Sequence, residues 1–430
     1  MLTPEQRRQK LGDVVRVASG NFLEMYDFFV YGYFAIYIAN TFFPSEDPFV
    51  SLMLSLGTFG AGFFMRPLGA IVLGSYIDRK GRRTGLILTL GLMAIGTITV
   101  ACTPGYASIG LWAPILVVVG RLVQGFSAGV ELGGVSVYLA EIATPGHKGF
   151  YCAWQSASQQ VAVIFASLLG VALNSLIPAE QMAAWGWRIP LLIGCLIIPL
   201  VLILRRSLKE TEEFAAQRHH PTAHEVLNLI AENWKVVFKG VLLSALTTTT
   251  FYLITAYTPT FGREVLHFEA RDNLLVTLCV GVSNFCWLPI GGAISDKIGR
   301  RPMLIVLTAV ALVTAYPAMA WLVSQPSFNR LLFVQLWFSF IFGTYNGAMI
   351  PFLTEMMPPR VKTSGFSIAF SFATAVFGGM TPAVCTFLIH ETGNAAMPGA
   401  WLSVSAALAF ASTLVAQSFV PSLAGREAVA

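Results

Sequence analysis

The sequence predicts an all-α membrane protein of twelve transmembrane helices, arranged as two pseudo-symmetric six-helix bundles, and three observations lead there. The chain is 55% hydrophobic and 11% charged, with a mean hydropathy of +0.68, whereas a soluble domain carries roughly 25% charged residues. Long apolar runs, each near the roughly 20 residues that a bilayer core requires, follow one another from near residue 15 to near residue 420. A segment joining the second and third runs recurs at the matching place in the second half. This composition excludes a chain of ordinary soluble domains and leaves no room for an appended catalytic domain.

Taken in order, the first residues, Met1 to Lys10, are polar and charged and lack a signal-peptide cleavage pattern, so the first helix is expected to act as its own targeting signal. Helices are predicted near 15–43, 50–76, 84–103, 111–140, 150–175 and 187–206. The largest polar gap follows, and six more are predicted near 236–262, 272–295, 303–324, 331–355, 361–389 and 397–420. The domain reading is therefore a bundle over 1–206, a cytoplasmic linker over 207–235 and a second bundle over 236–430.

Basic residues fall in alternate gaps: Arg7, Arg8, Lys10 and Arg16, then Arg79, Lys80, Arg82 and Arg83, then Lys148, then the cluster from Arg205 to Lys239, then Lys297, Arg300 and Arg301, then Arg360 and Lys362. Cytoplasmic loops carry the excess of Lys and Arg, so these gaps and both termini are expected in the cytoplasm, with the chain in a bacterial inner membrane. The opposite gaps hold only Arg188, Arg263, Arg271 and Arg330.

The repeated segment reads Gly74-Ser-Tyr-Ile-Asp78-Arg79-Lys-Gly81-Arg82-Arg83 and again Gly292-Ala-Ile-Ser-Asp296-Lys297-Ile-Gly299-Arg300-Arg301. The first glycine allows close helix approach, the aspartate can cap a helix N-terminus or pair with an arginine, and the second glycine permits a tight turn. Each copy is expected to latch two helices with an acidic partner at the end of the fourth helix of its half. These latches are Asp78 and Arg82 with Glu141, and Asp296 and Arg300 with Glu355.

The six cysteines lie in or at the ends of apolar runs without C-x-x-C spacing, so neither disulfides nor zinc are indicated. His219, His220 and His224 sit in the polar central gap beside Pro221 and read as solvated linker. No metal site and no cofactor are expected.

The doubled G-x-x-x-D-[RK]-x-G-R-R pattern resembles the signature of the major facilitator superfamily, which implies paired bundles around a midplane site. Asn21-Phe-Leu-Glu24-Met-Tyr-Asp27-Phe, Met65-Arg66-Pro67 and Gly120-Arg121-Leu-Val-Gln124-Gly125 are similar to the metabolite:proton symporters within it. Three further stretches resemble the citrate-proton symporter and tricarballylate transporter branch: Ser127 to Tyr138, Trp154 to Gln160, and Thr247 to Thr260. The resemblance covers the whole chain and implies proton-coupled symport of citrate, or of a relative such as tricarballylate, 2-oxoglutarate, shikimate or a betaine.

An ionisable group at mid-bilayer costs at least about 2.5 kcal/mol, so those retained usually face a cavity and serve function. Five stand out: Glu24, Asp27, Arg66, Arg121 and Glu131. At about 1.5 Å per residue, Asp27 lies roughly 18 Å into its helix and Arg66 roughly 18 Å from Asp78, near the midplane in both cases. Glu24 and Asp27, at i and i+3, share a helix face; they are either proton-coupling carboxylates or fixed counter-ions for the two arginines. Glu131 is either a third proton carrier or a packing residue. Arg66 and Arg121 offer planar donor forks suited to two carboxylates of one substrate, the alternative being that each only balances an acidic neighbour.

Neutral polar residues complete the candidate substrate site: Gln124, Gln155, Ser158, Gln159, Tyr257, Tyr345 and Asn346, with Tyr252 and Asn284 nearby. Each is either a ligand donor or interhelical glue. The Thr247 to Thr250 run reads as backbone-bonded packing, the Gly125, Gly129 and Gly133 spacing as close helix contact, and the aromatic content as mainly lipid-facing and interfacial. No nucleotide-binding motif, convergent nucleophile and base, or nucleic-acid-binding pattern is present. The expectation is a secondary transporter acting as a monomer in lipid, with a small polycarboxylate as substrate and the proton as coupling ion.

Overall fold

The computed structural model describes residues 21–80, 82–129, 135–137, 139–140, 143–206, 223–358 and 362–416. These residues fold into helices and their connections, with no strand among them. The first span is α1 (Asn21–Tyr33) and α2 (Ala35–Phe42), separated at Phe34. It is followed by α3 (Pro48–Lys80), α4 (Arg82–Cys102), α5 (Trp112–Ala128), α6 (Lys148–Leu176) and α7 (Ile189–Arg206). A short helix α8 (Ala223–Glu232) precedes α9 (Trp234–Glu264), α10 (Ala270–Ile298), α11 (Arg300–Ser324), α12 (Phe328–Met356), α13 (Lys362–Thr392) and α14 (Met397–Val415). Among the described residues, eight helices are long and apolar enough to cross a membrane.

The hydropathy limits understate the helices at the repeated segment. α3 has 33 residues, about 50 Å at 1.5 Å each, against a hydrocarbon core of about 30 Å. Its end therefore projects past lipid, and Asp78 lies in helix rather than loop. α10 likewise runs through Asp296 to Ile298, and α11 restarts at Arg300. Gly299, at φ 91°, makes the break, a conformation only glycine adopts freely. Part of the expected linker is also helical, since 223–232 form α8; its apolar face packs on α3, α9 and α13. His224 is exposed there beside Asn228, and His219 and His220 lie outside the described residues.

Backbone-on-backbone packing holds the charged helices in place. A Cβ on Gly125 would strike the Gly62 carbonyl, and one on Gly129 the Arg66 carbonyl, so α5 lies directly on α3. Gly133 is outside the described residues. At the end of the molecule that carries Asp296, Gly149 of α6 faces Gly292 of α10 in the same manner, and these two helices pack along their length. At the opposite end Gly60 of α3 meets Met380 and Gly379 of α13, and Phe49 stacks on His390 with centroids 3.7 Å apart.

α9 and α13 each contain a π-turn, at Leu253–Tyr257 and Thr374–Gly379. Such widened turns interrupt the regular ladder and recur at functional sites. The Phe377 carbonyl, in the second of these turns, accepts from Thr381 of its own helix and from Thr249 of α9, one turn before the first.

Candidate functional site

Between the helices lies a small cavity. Met25 and Arg66 line it from α1 and α3, Ser156 and Gln159 from α6. Thr247, Thr248, Phe251 and Tyr252 of α9, Phe342 and Asn346 of α12, and Phe370 and Thr374 of α13 complete the wall. Of the sequence candidates, Arg66, Gln159 and Asn346 therefore face it. Thr247 was read as packing, yet its hydroxyl donates to Asn346 Oδ1 at 2.8 Å within the lining. A threonine run on a helix has backbone acceptors everywhere, so nothing in the sequence marks the one that turns to a neighbour.

The four charges form two linked groups. Arg66 Nη2 sits 3.1 Å from Glu24 Oε1, with both side chains buried. Asp27 Oδ2 accepts from Thr97 Oγ1 and, at 3.4 Å, from Gln124 Nε2. Gln124 also donates to Thr97 at 3.0 Å, and its Oε1 accepts from Arg121 Nη1 at 2.8 Å. Glu24 and Asp27 share a helix yet serve different arginines. Arg121 makes no ion pair within 4.0 Å among the described residues, and its hydrogen-bonded route to Asp27 runs through the Gln124 amide. Thr97, on α4, is the member of this group that the sequence left unmarked, because a single threonine in an apolar helix looks like any other.

An aromatic wall holds the two guanidinium groups, which corrects the reading of the aromatic residues as mainly lipid-facing. Arg66 Cζ lies 4.7 Å from the Phe28 centroid and 4.5 Å from that of Phe63. Arg121 Cζ lies 4.3 Å from Phe28, 4.5 Å from Tyr31 and 5.5 Å from Phe59. Tyr252 closes the wall, edge-on to Phe63 at 5.0 Å. A desolvated cation over such a ring gains about 2 kcal/mol, which offsets part of the burial cost without using any N–H.

The donors are consequently in surplus. Arg66 Nε, Arg121 Nε and Nη2, Gln155 Nε2 and Asn346 Nδ2 are buried and have no hydrogen-bond acceptor among the described residues, against one carboxylate oxygen of the same group, Asp27 Oδ1, that accepts no hydrogen bond there. Each such group costs roughly 1–3 kcal/mol, more where charged. A site with this imbalance stabilises a ligand rich in acceptors, above all carboxylate oxygens.

Other candidates lie apart. Ser158 Oγ donates to the Gln155 carbonyl at 2.7 Å, while Gln155 Oε1 accepts from Ser156. Tyr345 donates to the Leu243 carbonyl at 2.7 Å, and the Tyr257 hydroxyl accepts from Thr386 at 3.2 Å; neither lines the cavity. Asn284 donates to Gln160 at 3.1 Å and accepts from Ser339, joining α10 to α6 and α12. Glu131 and Glu141 lie outside the described residues, as do the side chains of Asp78 and Arg82.

The second repeated segment sits in a charge cluster. Asp296 accepts from the backbone N–H groups of Gly149 and Phe150, at 2.8 and 3.0 Å, and faces Arg300 at 3.4 Å. Glu355 faces Arg300 at 3.2 Å and Lys148 at 3.6 Å. The aspartate thus satisfies two orphan donors at the start of α6 and complements its dipole, joining helices from the two halves of the sequence.

A family model described as Major Facilitator Superfamily matches residues 17–383. The citrate-proton symporter of Salmonella typhi is 60% identical over 95% of this chain and 94% of its own. The citrate-proton symporter of Klebsiella pneumoniae is 59% identical over 92% of this chain and 89% of its own. Among solved structures, a D-xylose-proton symporter superposes with a TM-score of 0.75 at 17% identity, over 96% of this chain and 98% of the other; that likeness concerns the fold alone.

Proposed function

The chain belongs to the Major Facilitator Superfamily, and from that premise we propose that it is a proton-coupled symporter of citrate, working by alternating access in a bacterial inner membrane. It is a transporter and not an enzyme. The observation that carries the substrate class is the buried donor surplus around Arg66 and Arg121. A tricarboxylate supplies acceptors to the open N–H groups of both forks, whereas a betaine brings one carboxylate and a sugar none. The relatives at 60% and 59% identity, both named citrate-proton symporters, favour citrate among such anions.

In this reading Arg66, Gln159 and Asn346 receive the substrate in the cavity, and Arg121 anchors a second carboxylate when the ligand reaches past the aromatic wall. Gln124 connects that anchor to Asp27, which carries the coupled proton. Asp27 suits the task because both its direct partners, Thr97 and Gln124, are neutral, whereas Glu24 is committed to Arg66. Gln155 and Ser158 support the α6 wall, Tyr345 ties α12 to α9 and Tyr257 meets α13, and Glu131 remains a further proton candidate.

The basic residues put the Asp296 end in the cytoplasm, with both termini there. Residues 1–206 and 236–430 then act as two bundles joined by 207–235. The Asp296–Arg300–Glu355 cluster, and by the repeat Asp78, Arg82 and Glu141, latch the cytoplasmic gate and release when substrate and proton let the bundles rock. The functional unit is a monomer in lipid, with the proton as coupling ion and no other cofactor.

Proteoliposome uptake of a panel comprising citrate, tricarballylate, 2-oxoglutarate and betaine tests this. Citrate should be preferred, and an inward proton gradient should drive its accumulation. Preference for betaine, or uptake driven by sodium without response to pH, would reject it.

A further inference from the structure

Phe28 takes no part in the proposed scheme as a ligand or a titrating group, yet it is the one ring among the described residues over which both buried guanidinium groups lie. Phe63 is shared with Arg66 alone, and Tyr31 and Phe59 with Arg121 alone. The ring is buried at 1% exposure and tilted against Phe63, with centroids 4.7 Å apart. On one side of this contact is the cavity-lining Arg66 with Glu24. On the other is Arg121, which does not line the cavity and whose one hydrogen bond leads through Gln124 to Asp27.

We propose that Phe28 is the positioning residue that couples the substrate cavity to the Asp27 proton site. The inference rests on the reading of the chain as a proton-coupled carboxylate carrier. A ring face stabilises a cation through its quadrupole, and that attraction weakens when the cation turns toward an anion. A carboxylate arriving at Arg66 draws that guanidinium off the shared ring. Phe28 then repacks against Arg121 or swings aside to admit the second carboxylate to it. Either movement acts on Asp27, because Asp27 precedes Phe28 on α1 and because Arg121 holds Gln124. The charged groups within this contact are Glu24, Arg66, Arg121 and Asp27, and the phenols near it are Tyr31 and Tyr252. A ligand that moves only Arg66, with no ring to pass the change on, leaves the Asp27 bonds as they were.

The test compares wild type, Phe28→Leu and Phe28→Tyr in proteoliposomes by two assays. One is citrate counterflow without ion gradients, which needs binding and rocking only. The other is citrate accumulation under an inward proton gradient, which needs coupling. In Phe28→Leu accumulation should fall at least about tenfold further than counterflow does, the range of an ordinary coupling energy. Phe28→Tyr should keep both. Unchanged accumulation in Phe28→Leu overturns the proposal, as does an equal fall in counterflow and accumulation, which marks a merely structural ring. Should Phe28→Leu fail to purify as a single species, 4-fluorophenylalanine at position 28 takes its place, and its fluorine resonance should shift when citrate is added in detergent. An unmoved resonance overturns the proposal. Absence of citrate counterflow in the wild type rejects the transport reading, and this inference with it, before any variant is compared.

Discussion

Replacing Arg121 by lysine separates its charge from its geometry. Lysine offers an ammonium cation in place of the guanidinium, within reach of the rings of Phe28, Tyr31 and Phe59, which lie 4.3 to 5.5 Å from the guanidinium carbon. It loses the planar fork whose Nη1 bonds Gln124 while Nε and Nη2 stay open. The loss on binding is one charge-assisted hydrogen bond to the substrate, about 1.5–3 kcal/mol, or roughly 10- to 150-fold in Kd. Calorimetric titration of purified protein with citrate and with a monocarboxylate measures it, and size-exclusion chromatography checks that the variant remains monodisperse. A loss confined to citrate is expected, because a monocarboxylate engages the cavity-lining Arg66 alone. Equal affinity of wild type and Arg121→Lys for citrate would refute the anchor role and leave Arg121 as a structural cation.

Other perturbations follow from the same contacts. Asp27→Asn should retain citrate counterflow and lose proton-driven accumulation, since an amide keeps the Thr97 and Gln124 partners in reach but carries no proton; accumulation at wild-type level would move the proton site elsewhere. Asp296→Asn removes charge-assisted acceptance from the Gly149 and Phe150 N–H groups, roughly 1.5–3 kcal/mol. It should open the cytoplasmic gate, read as faster alkylation of a cysteine placed beneath it, with citrate affinity in detergent close to wild type. Gly125→Ala puts a methyl group against the Gly62 carbonyl and should lower stability by about 1–3 kcal/mol, seen as a fall in Tm, whereas the same change at Gly91, where nothing faces the new methyl, should leave Tm nearly unchanged.

The membrane class and the repeat were legible because both are written in composition and spacing: charges are few, and the two segments repeat Gly, Asp, Gly and paired Arg at the same intervals. Helix limits were less legible at Asp296, since hydropathy reports passage through lipid while backbone hydrogen bonding continues until Gly299 breaks it. The buried charges could be named from their cost in lipid, but not paired. Spacing put Glu24 and Asp27 on one face, and only the packing of α3 and α5 gives the first to Arg66 and links the second to Arg121 through Gln124. Neutral members such as Thr97 and Thr247 carry no sequence signal, because a threonine serving its own helix and one reaching a neighbour look alike. Phe28, Phe59 and Phe63 were hidden by abundance, for aromatic residues are common in membrane helices and only their distances to the two guanidinium carbons set these apart.

A symporter ties transport of its polycarboxylate to protons. The direct measurement is citrate accumulation by purified protein in liposomes, followed with an imposed inward proton gradient, with a sodium gradient at constant pH, and with an uncoupler. Accumulation above the external concentration under the proton gradient alone, abolished by the uncoupler, is the expected result. Citrate that merely equilibrates across the membrane under every condition, or that concentrates under the sodium gradient with the uncoupler present, would contradict it.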